Sequence, residues 1–363
     1  MFTEQQRKTK LQVIDQKHAK PEQMIYRSKA PLRIGLAGGG TDVSPYCDQY
    51  GGAILNATIS LYANASIELL EEDRIILEAF DRDEVAEYPW QTSLPIDGHL
   101  DLLKGVYNRV QKDYPFVQKG IKLSTFVDAP AGSGLGTSST LVVAILGAFV
   151  EMLQLPLGEY DIAQYAYDIE RKDLSLAGGR QDQYAATFGG VNFMEFYADD
   201  KVIVNPLRIR QEYIDELENN LLLYYTATSR ESAEIIRKQS KNVIDNKSAS
   251  IEAMHQLKHQ AQLMKETLLK GRLHGIGDIL NIGFEQKRQM AEGISNALIE
   301  NIYTAAKAHG ATGGKISGAG GGGFMIFYCP NNTKYAVKKA LAAFGGVNRS
   351  YSFTKHGLKT WRI

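Results

Sequence analysis

Three glycines within five residues, Gly132, Gly134 and Gly136, stand in the stretch DAPAGSGLGTSST, and the hydroxyls of Thr137, Ser138 and Ser139 follow at once. A turn of this kind, fed by the strand-like run GIKLSTFVD and opening an apolar helix, offers free backbone N–H groups and a positive helix end to an anion. Glycine lets the backbone approach phosphate oxygens with no Cβ between them. The plainer reading is a tight strand-to-helix turn capped by Thr137 or Ser138. Two nucleotide patterns are excluded. A Walker A loop needs lysine where Thr137 stands, and GSGLGT does not meet the dinucleotide fingerprint. Phosphate held here needs another source of positive charge.

Two further glycine-rich stretches accompany it. In APLRIGLAGGGTDVSPY, a strand carrying Arg33 runs into Gly38, Gly39 and Gly40, then Thr41 and Asp42. A cation inside an apolar strand must be paired or serve a site. Asp42 suits the binding of substrate hydroxyls, or else the capping of a helix near Pro45. The run KISGAGGGGFMIFY carries four consecutive glycines, costly in backbone entropy. It implies close approach to a ligand or to another loop, or a flexible hairpin. Two carboxylates complete the set. Glu170 falls on the buried face marked by Ile162, Ala166 and Ile169, where a metal ligand fits better than a solvated acid. Asp182, in GGRQDQYAATFGG, reads as a site acid or as a first-turn acid complementing a helix dipole.

The elements that must position these residues alternate. RSKAPLRIGLAG, GAILNATIS, YANASIELL and RIILEAF read as strands, and residues 141–153 carry apolar side chains at helical spacing. A helix is expected from about Glu159 to Lys172, then the strand GGVNFMEFY. LENNLLLYYTAT reads as another strand, followed by long polar helices over about 232–270 and 295–309 and by two late strands, NRSYSF and LKTWRI. The change of texture near Pro206 divides the 363 residues into domains 1–206 and 207–363. Acidic and basic residues balance at 41 each, so nothing in the bulk charge favours nucleic acid or an anionic membrane. Only Cys47 and Cys329 occur, without CxxC, which suits a reducing compartment and argues against structural zinc. The first two dozen residues lack the apolar core of an export signal, and LVVAILGAFV is too short to span a bilayer, so a cytoplasmic protein is expected.

Taken together and in order, the three glycine loops resemble those of the GHMP kinases over roughly residues 26–363. APLRIGLAGGGTD is similar to the family's first motif, PAGSGLGTSST to its phosphate loop and KISGAGGGGF to its late glycine motif. Thr137 and Ser139 replace a serine and an alanine of the loop pattern, and both stay small. The resemblance implies an α+β fold of two domains, an N-terminal one like domain 2 of ribosomal protein S5 and a ferredoxin-like C-terminal one. It implies ATP and Mg²⁺ as cofactors and a small sugar phosphate as partner, in a monomer or homodimer.

Residue by residue, Asp182 matches the catalytic aspartate and Arg33 its basic partner, while Ser138 and Glu170 match the Mg²⁺ ligands. Pro130, Gly132, Ser133, Gly134, Leu135, Gly136, Thr137, Ser138 and Ser139 would wrap the ATP phosphates. Gly39, Gly40, Thr41, Asp42, Gly320 and Gly321 would meet the substrate, with Arg180 the leading candidate to read a distal phosphate. Within the family, RSKAPLRIGLAGGGTDVSPY and GGAILNATI are most similar to members that phosphorylate the anomeric hydroxyl of D-glycero-D-manno-heptose 7-phosphate. L-fucokinase and galactokinase types share parts of the pattern. A catalytically silent sensor that binds ATP and sugar is the alternative of a different class.

Overall fold

The computed structural model describes residues 24–117, 120–228 and 232–363, so the polar N-terminal stretch lies outside it. The first sheet draws on β1 (Ile25–Ala37), β2 (Gly52–Leu69), β3 (Arg74–Ala79), β4 (Glu84–Pro89), β5 (Ile121–Val127), β6 (Val191–Phe196) and β7 (Val202–Pro206). Between these strands run α1 (Tyr46–Tyr50), α2 (Asp101–Asp113), α3 (Thr137–Leu153), α4 (Glu159–Asp168) and α5 (Gln181–Phe188). The second half holds α6 (Gln211–Asn220), β8 (Leu221–Tyr225), α7 (Ser232–Ile244), α8 (Ser248–Leu269), α9 (Ile276–Met290) and α10 (Ala297–Ala308). After these come β9 (Gly313–Ile316), β10 (Phe324–Tyr328), α11 (Lys334–Leu341), β11 (Val347–Arg349) and β12 (Lys359–Arg362).

The sheet orders follow from strand length and side-chain alternation. β2 is one long strand where the sequence suggested two. Its Gly52–Ala57 half pairs with β6 and its Ala63–Leu69 half with β5, while β1 runs antiparallel along the other edge. The first sheet is ordered β12-β1-β2-β5-β3-β4, with β6 and β7 continuing beside β2, and the second is β11-β8-β10-β9. β8 and β10 are buried on both faces. Leu221, Leu223, Phe324 and Ile326 join the core under the first sheet, whereas Leu222, Tyr224, Met325 and Phe327 pack against Met254, Phe284 and Ile302. α3, whose Val142, Ile145, Leu146 and Phe149 are buried, belongs to the first of these cores.

Several expected boundaries moved. The long polar helix breaks at residues 245–247, where Asn246 takes a left-handed backbone, and so becomes α7 and α8. LENN belongs to α6 rather than to the strand β8 that follows it. α4 ends early and a five-residue π-helical turn, Ile169–Asp173, completes it. The helices α2, α6, α9 and α11 have no counterpart in the sequence reading. Among the described residues no helix is long and apolar enough to cross a membrane.

Candidate active site

β1 delivers Arg33 into the interior with 3% of its surface exposed, where burial of a cation demands a partner. Its Nε donates to Asp182 Oδ1 at 2.6 Å and its Nη1 to the Gly134 carbonyl at 2.8 Å. Asp182 sits in the first turn of α5, and its neighbours bind in turn. Gln181 Nε2 donates to Asp42, and Gln183 Nε2 donates to Glu170 Oε2 and to Ser139 Oγ. Three successive residues of α5 thus tie the first glycine loop, the second loop and the metal-ligand candidate to one helix start. Only Asp182 of the three was singled out from sequence.

Asp42 is not the cap of the short helix after Pro45, which has no side-chain cap. Its carboxylate accepts instead from the backbone N–H groups of Arg180 and Gln181 at 3.0 and 3.1 Å, at the positive start of α5. Burial and the nearby Asp182 charge push the Asp42 carboxyl above its ordinary value, while backbone N–H bonds and Arg33 pull the other way.

The second glycine loop opens α3 without a side-chain cap. Gly136 precedes the helix with φ +80°, and Thr140 N–H bonds back to its carbonyl at 2.9 Å. The helix start is therefore an open N–H cluster facing a cavity of about 330 Å³. A Cβ on Gly136 would lie 3.1 Å from the Asp182 carboxyl carbon, so glycine is what lets the loop pass beside that acid. The third loop serves this one. Ser317 Oγ donates to the Gly134 carbonyl and Phe324 N–H to the Ser133 carbonyl, at 2.7 and 2.8 Å. Gly318 and Gly323 answer to that loop: a Cβ on Gly323 would sit 2.3 Å from Ser133 O.

Most of the sequence candidates share the cavity wall: Arg33, Gly40, Asp42, Gly132, Gly134, Gly136, Thr137, Ser138, Ser139, Glu170 and Asp182. Glu170 is 1% exposed, turned inward from the π-helical turn, and Ser138 is exposed. Others are placed elsewhere, each for a visible reason. Thr41 Oγ1 donates to the Gly38 and Ala53 carbonyls and braces its own loop. Leu135 is core, Ser133 lies under the third loop, and neither Pro130 nor Gly39 reaches the wall. Gly320 and Gly321 pack on Ile294, to whose carbonyl Gly321 N–H donates at 2.8 Å. Arg180 is turned away from the cavity: its guanidinium pairs with Asp48 at 3.2 Å and Asp200 at 2.9 Å and donates to the Tyr197 carbonyl.

Sequence reading missed Lys287. It reaches the cavity from α9, is 4% exposed, and donates to the Gly318 carbonyl. No carboxylate lies within 4 Å of it among the described residues. Burial and the Arg33 charge lower its amine to about 8, against the pull of Asp42 and Asp182. The apolar spacing Ile276, Leu280, Phe284 marked its helix, but Gly277 and Gly283 inside it masked the signal. A second buried lysine, Lys315, donates to the Gly35 carbonyl at 2.9 Å and supports the first loop from below.

Residues 101–190 match the family described as GHMP kinases N terminal domain, and residues 264–347 match GHMP kinases C terminal. The chain is 48% identical, over 93% of its length and 99% of the relative's, to D-glycero-alpha-D-manno-heptose 7-phosphate kinase of Campylobacter jejuni. A crystal structure described as a D-glycero-D-manno-heptose 1-phosphate kinase from Bacteroides thetaiotaomicron superposes with a TM-score of 0.80 at 46% identity. It covers 93% of this chain and 99% of that one. Lactococcus lactis galactokinase, 18% identical, covers 97% of this chain and 99% of its own with a TM-score of 0.74, a likeness of fold alone.

Proposed function

The chain belongs to the GHMP kinase family, and from that premise we propose that it transfers the γ-phosphoryl group of ATP to the anomeric hydroxyl of D-glycero-D-manno-heptose 7-phosphate. The product is the 1,7-bisphosphate, a precursor suited to nucleotide activation of the heptose. The substrate follows the Campylobacter relative's name, and the Bacteroides relative's name differs in the position of the phosphate. One observation carries the reaction class: the Arg33–Asp182 pair, 2.6 Å apart, beside the uncapped start of α3.

Asp182 takes the proton of the acceptor hydroxyl while that oxygen bonds to the γ-phosphorus. The bond from phosphorus to the β–γ bridging oxygen breaks, and ADP leaves with its electron pair. Arg33 holds the Asp182 carboxylate in place and, with Lys287, faces the charge of the group in transfer. Backbone N–H groups from Gly132 to Ser139 wrap the ATP phosphates, and Asp42 accepts from sugar hydroxyls. Ser138 and Glu170, both on the cavity wall, would hold Mg²⁺, with Glu170 giving up contacts to Arg171 and Gln183 for the ion. When bound, the ion neutralises phosphate charge that a Walker lysine meets elsewhere. The same reading makes the protein a cytoplasmic monomer or homodimer that divides near residue 206 and acts on small molecules, without nucleic acid or membrane.

A coupled ADP-release assay over heptose 7-phosphate, heptose 1-phosphate, free heptose, L-fucose and galactose tests it. The highest kcat/KM is expected for heptose 7-phosphate, with phosphorus NMR locating the new ester at carbon 1. ATP binding without turnover on any sugar would make the protein a silent sensor instead. Preference for fucose or galactose would reassign the substrate.

A further inference from the structure

A second cavity of about 340 Å³ adjoins the first and shares Asp42, Arg171, Gly178 and Ile236 with it. Its own wall adds Ser44, Tyr167, Arg237, Ser240 and Lys241. The wall therefore holds three cations, and Asp42 is its one carboxylate among the described residues, turned toward the N–H groups that start α5. Arg171 is braced by the Gly179 and Leu176 carbonyls. Arg237 and Lys241 are exposed, and no carboxylate lies within 4 Å of either among the described residues. They stand four residues apart on α7, a like-charge spacing that is unfavourable in itself. On the same helix, Lys238 pairs with Glu234 at that spacing, 2.8 Å apart.

α7 is fixed against the first glycine loop. Gln239 Nε2 donates to the Gly40 carbonyl at 2.7 Å, and Ser240 Oγ donates to the Ser44 carbonyl at 2.9 Å. Those bonds set the cationic flank of α7 beside the acceptor cavity. A sugar whose reacting hydroxyl meets Asp182 and whose chain passes Asp42 carries its far end into this second cavity. Arg180, the residue expected to meet that end, is instead held by Asp48 and Asp200.

We infer that the second cavity is the subsite for the terminal phosphate of the sugar substrate, with Arg237 and Lys241 as its charge-recognising residues and the Ser44 hydroxyl as a further donor. A phosphate dianion relieves the repulsion between the two cations, and arginine can grip it through two N–H groups at once. This rests on the sugar-phosphate kinase reading and names the part of the site that selects a phosphorylated substrate.

The test compares wild type, Arg237→Ala, Lys241→Ala and the double variant on D-glycero-D-manno-heptose 7-phosphate and on the unphosphorylated heptose, with Lys238→Ala as control. Each substitution is expected to raise KM for the phosphorylated sugar about tenfold, the loss typical of one hydrogen bond to a charged group. Values of kcat, the KM for free heptose and the control stay near wild type. Arg237→Lys restores part of the affinity. Inorganic phosphate is expected to compete with the sugar phosphate in wild type and not in the double variant. A wild type that prefers the phosphorylated sugar, together with a double variant that keeps the same preference, overturns the subsite and leaves the kinase reading intact. A wild type with no such preference overturns both. Calorimetric binding of heptose 7-phosphate without ATP reads the same difference independently of turnover.

Discussion

Arg33 and Asp182 form a unit whose members cannot be removed independently. Each is buried or half-buried against the other, and the Gly134 carbonyl accepts from the Nη1 arm of the guanidinium. If Asp182 is the general base proposed above, Asp182→Asn should lower kcat by about 10²–10⁴-fold, the usual contribution of a positioned base, with ATP affinity nearly unchanged. Arg33→Ala lowers kcat too, and the double variant loses less than the product of the two. A purely structural pair would behave differently: both variants would lose thermal stability yet keep near-normal kcat in the folded fraction. Lys287 adds a pH dependence of its own. Its amine, lowered to about 8 by burial and by Arg33, carries its charge below that pH and sheds it above. If the charged form faces the transferring group, kcat/KM falls as pH rises through about 8. In Lys287→Arg that limb moves to higher pH, because guanidinium stays protonated. Stability runs in the opposite sense. With its folded value below the unfolded one, the lysine makes the fold more stable as pH rises from about 8 toward the ordinary lysine range. A kcat/KM profile flat across pH 7–9 in wild type would remove Lys287 from the chemistry.

The loops work as a stacked pair of elements, and the stacking is the reason for their glycines. Gly134 has φ +84°, and a Cβ there would lie 2.6 Å from Ser317 O; a Cβ on Gly318 would lie 2.5 Å from the Gly134 Cα. Gly134→Ala should therefore cost about 1–2 kcal/mol through its left-handed backbone alone. It should also raise the Kd for ATP measured by calorimetry, since the loop can no longer rest on its support. Unchanged melting temperature and ATP affinity would show the contact to be incidental. This stacking explains what the sequence could convey. Contiguous patterns announced the loops, because a run such as GAGGGG needs no tertiary context to look unusual. The same residues could not say which neighbour they approach, and Gly320 and Gly321 turned out to face Ile294. Gln183, Lys287 and Arg237 owe their places to helix packing across the chain. Nothing local distinguishes Gln183 from an ordinary helical glutamine, and Arg180 lost its expected place to two carboxylates 132 and 20 residues away in sequence.

At the scale of the molecule, one core runs beneath both sheets, from Leu32 and Ile67 through Met264 and Leu280 to Phe324 and Ile326. The chain's end then closes the first sheet. β12 pairs antiparallel with β1 from Tyr26–Arg362 to Lys29–Lys359, and Thr360 Oγ1 donates to Glu151 Oε2 at 2.6 Å. Leu358 packs half-buried against Gly147 of α3, and its N–H donates to the Thr187 carbonyl at the end of α5. The tail thus braces the two helices whose N-termini build the site. Deleting residues 358–363 should cost about 1 kcal/mol from the half-buried leucine, and more from the uncovered edge of β1. Leu358→Ala reports the first part by itself. Because the core is continuous, the melt of the deletion variant should stay a single transition at lower temperature. ATP should raise the melting temperature by less than in wild type, since part of its binding energy goes to ordering α3 and α5. Two resolved transitions with only one displaced would mean that the halves unfold independently and that the tail serves the first alone. A melting temperature equal to wild type would sink the bracing role outright.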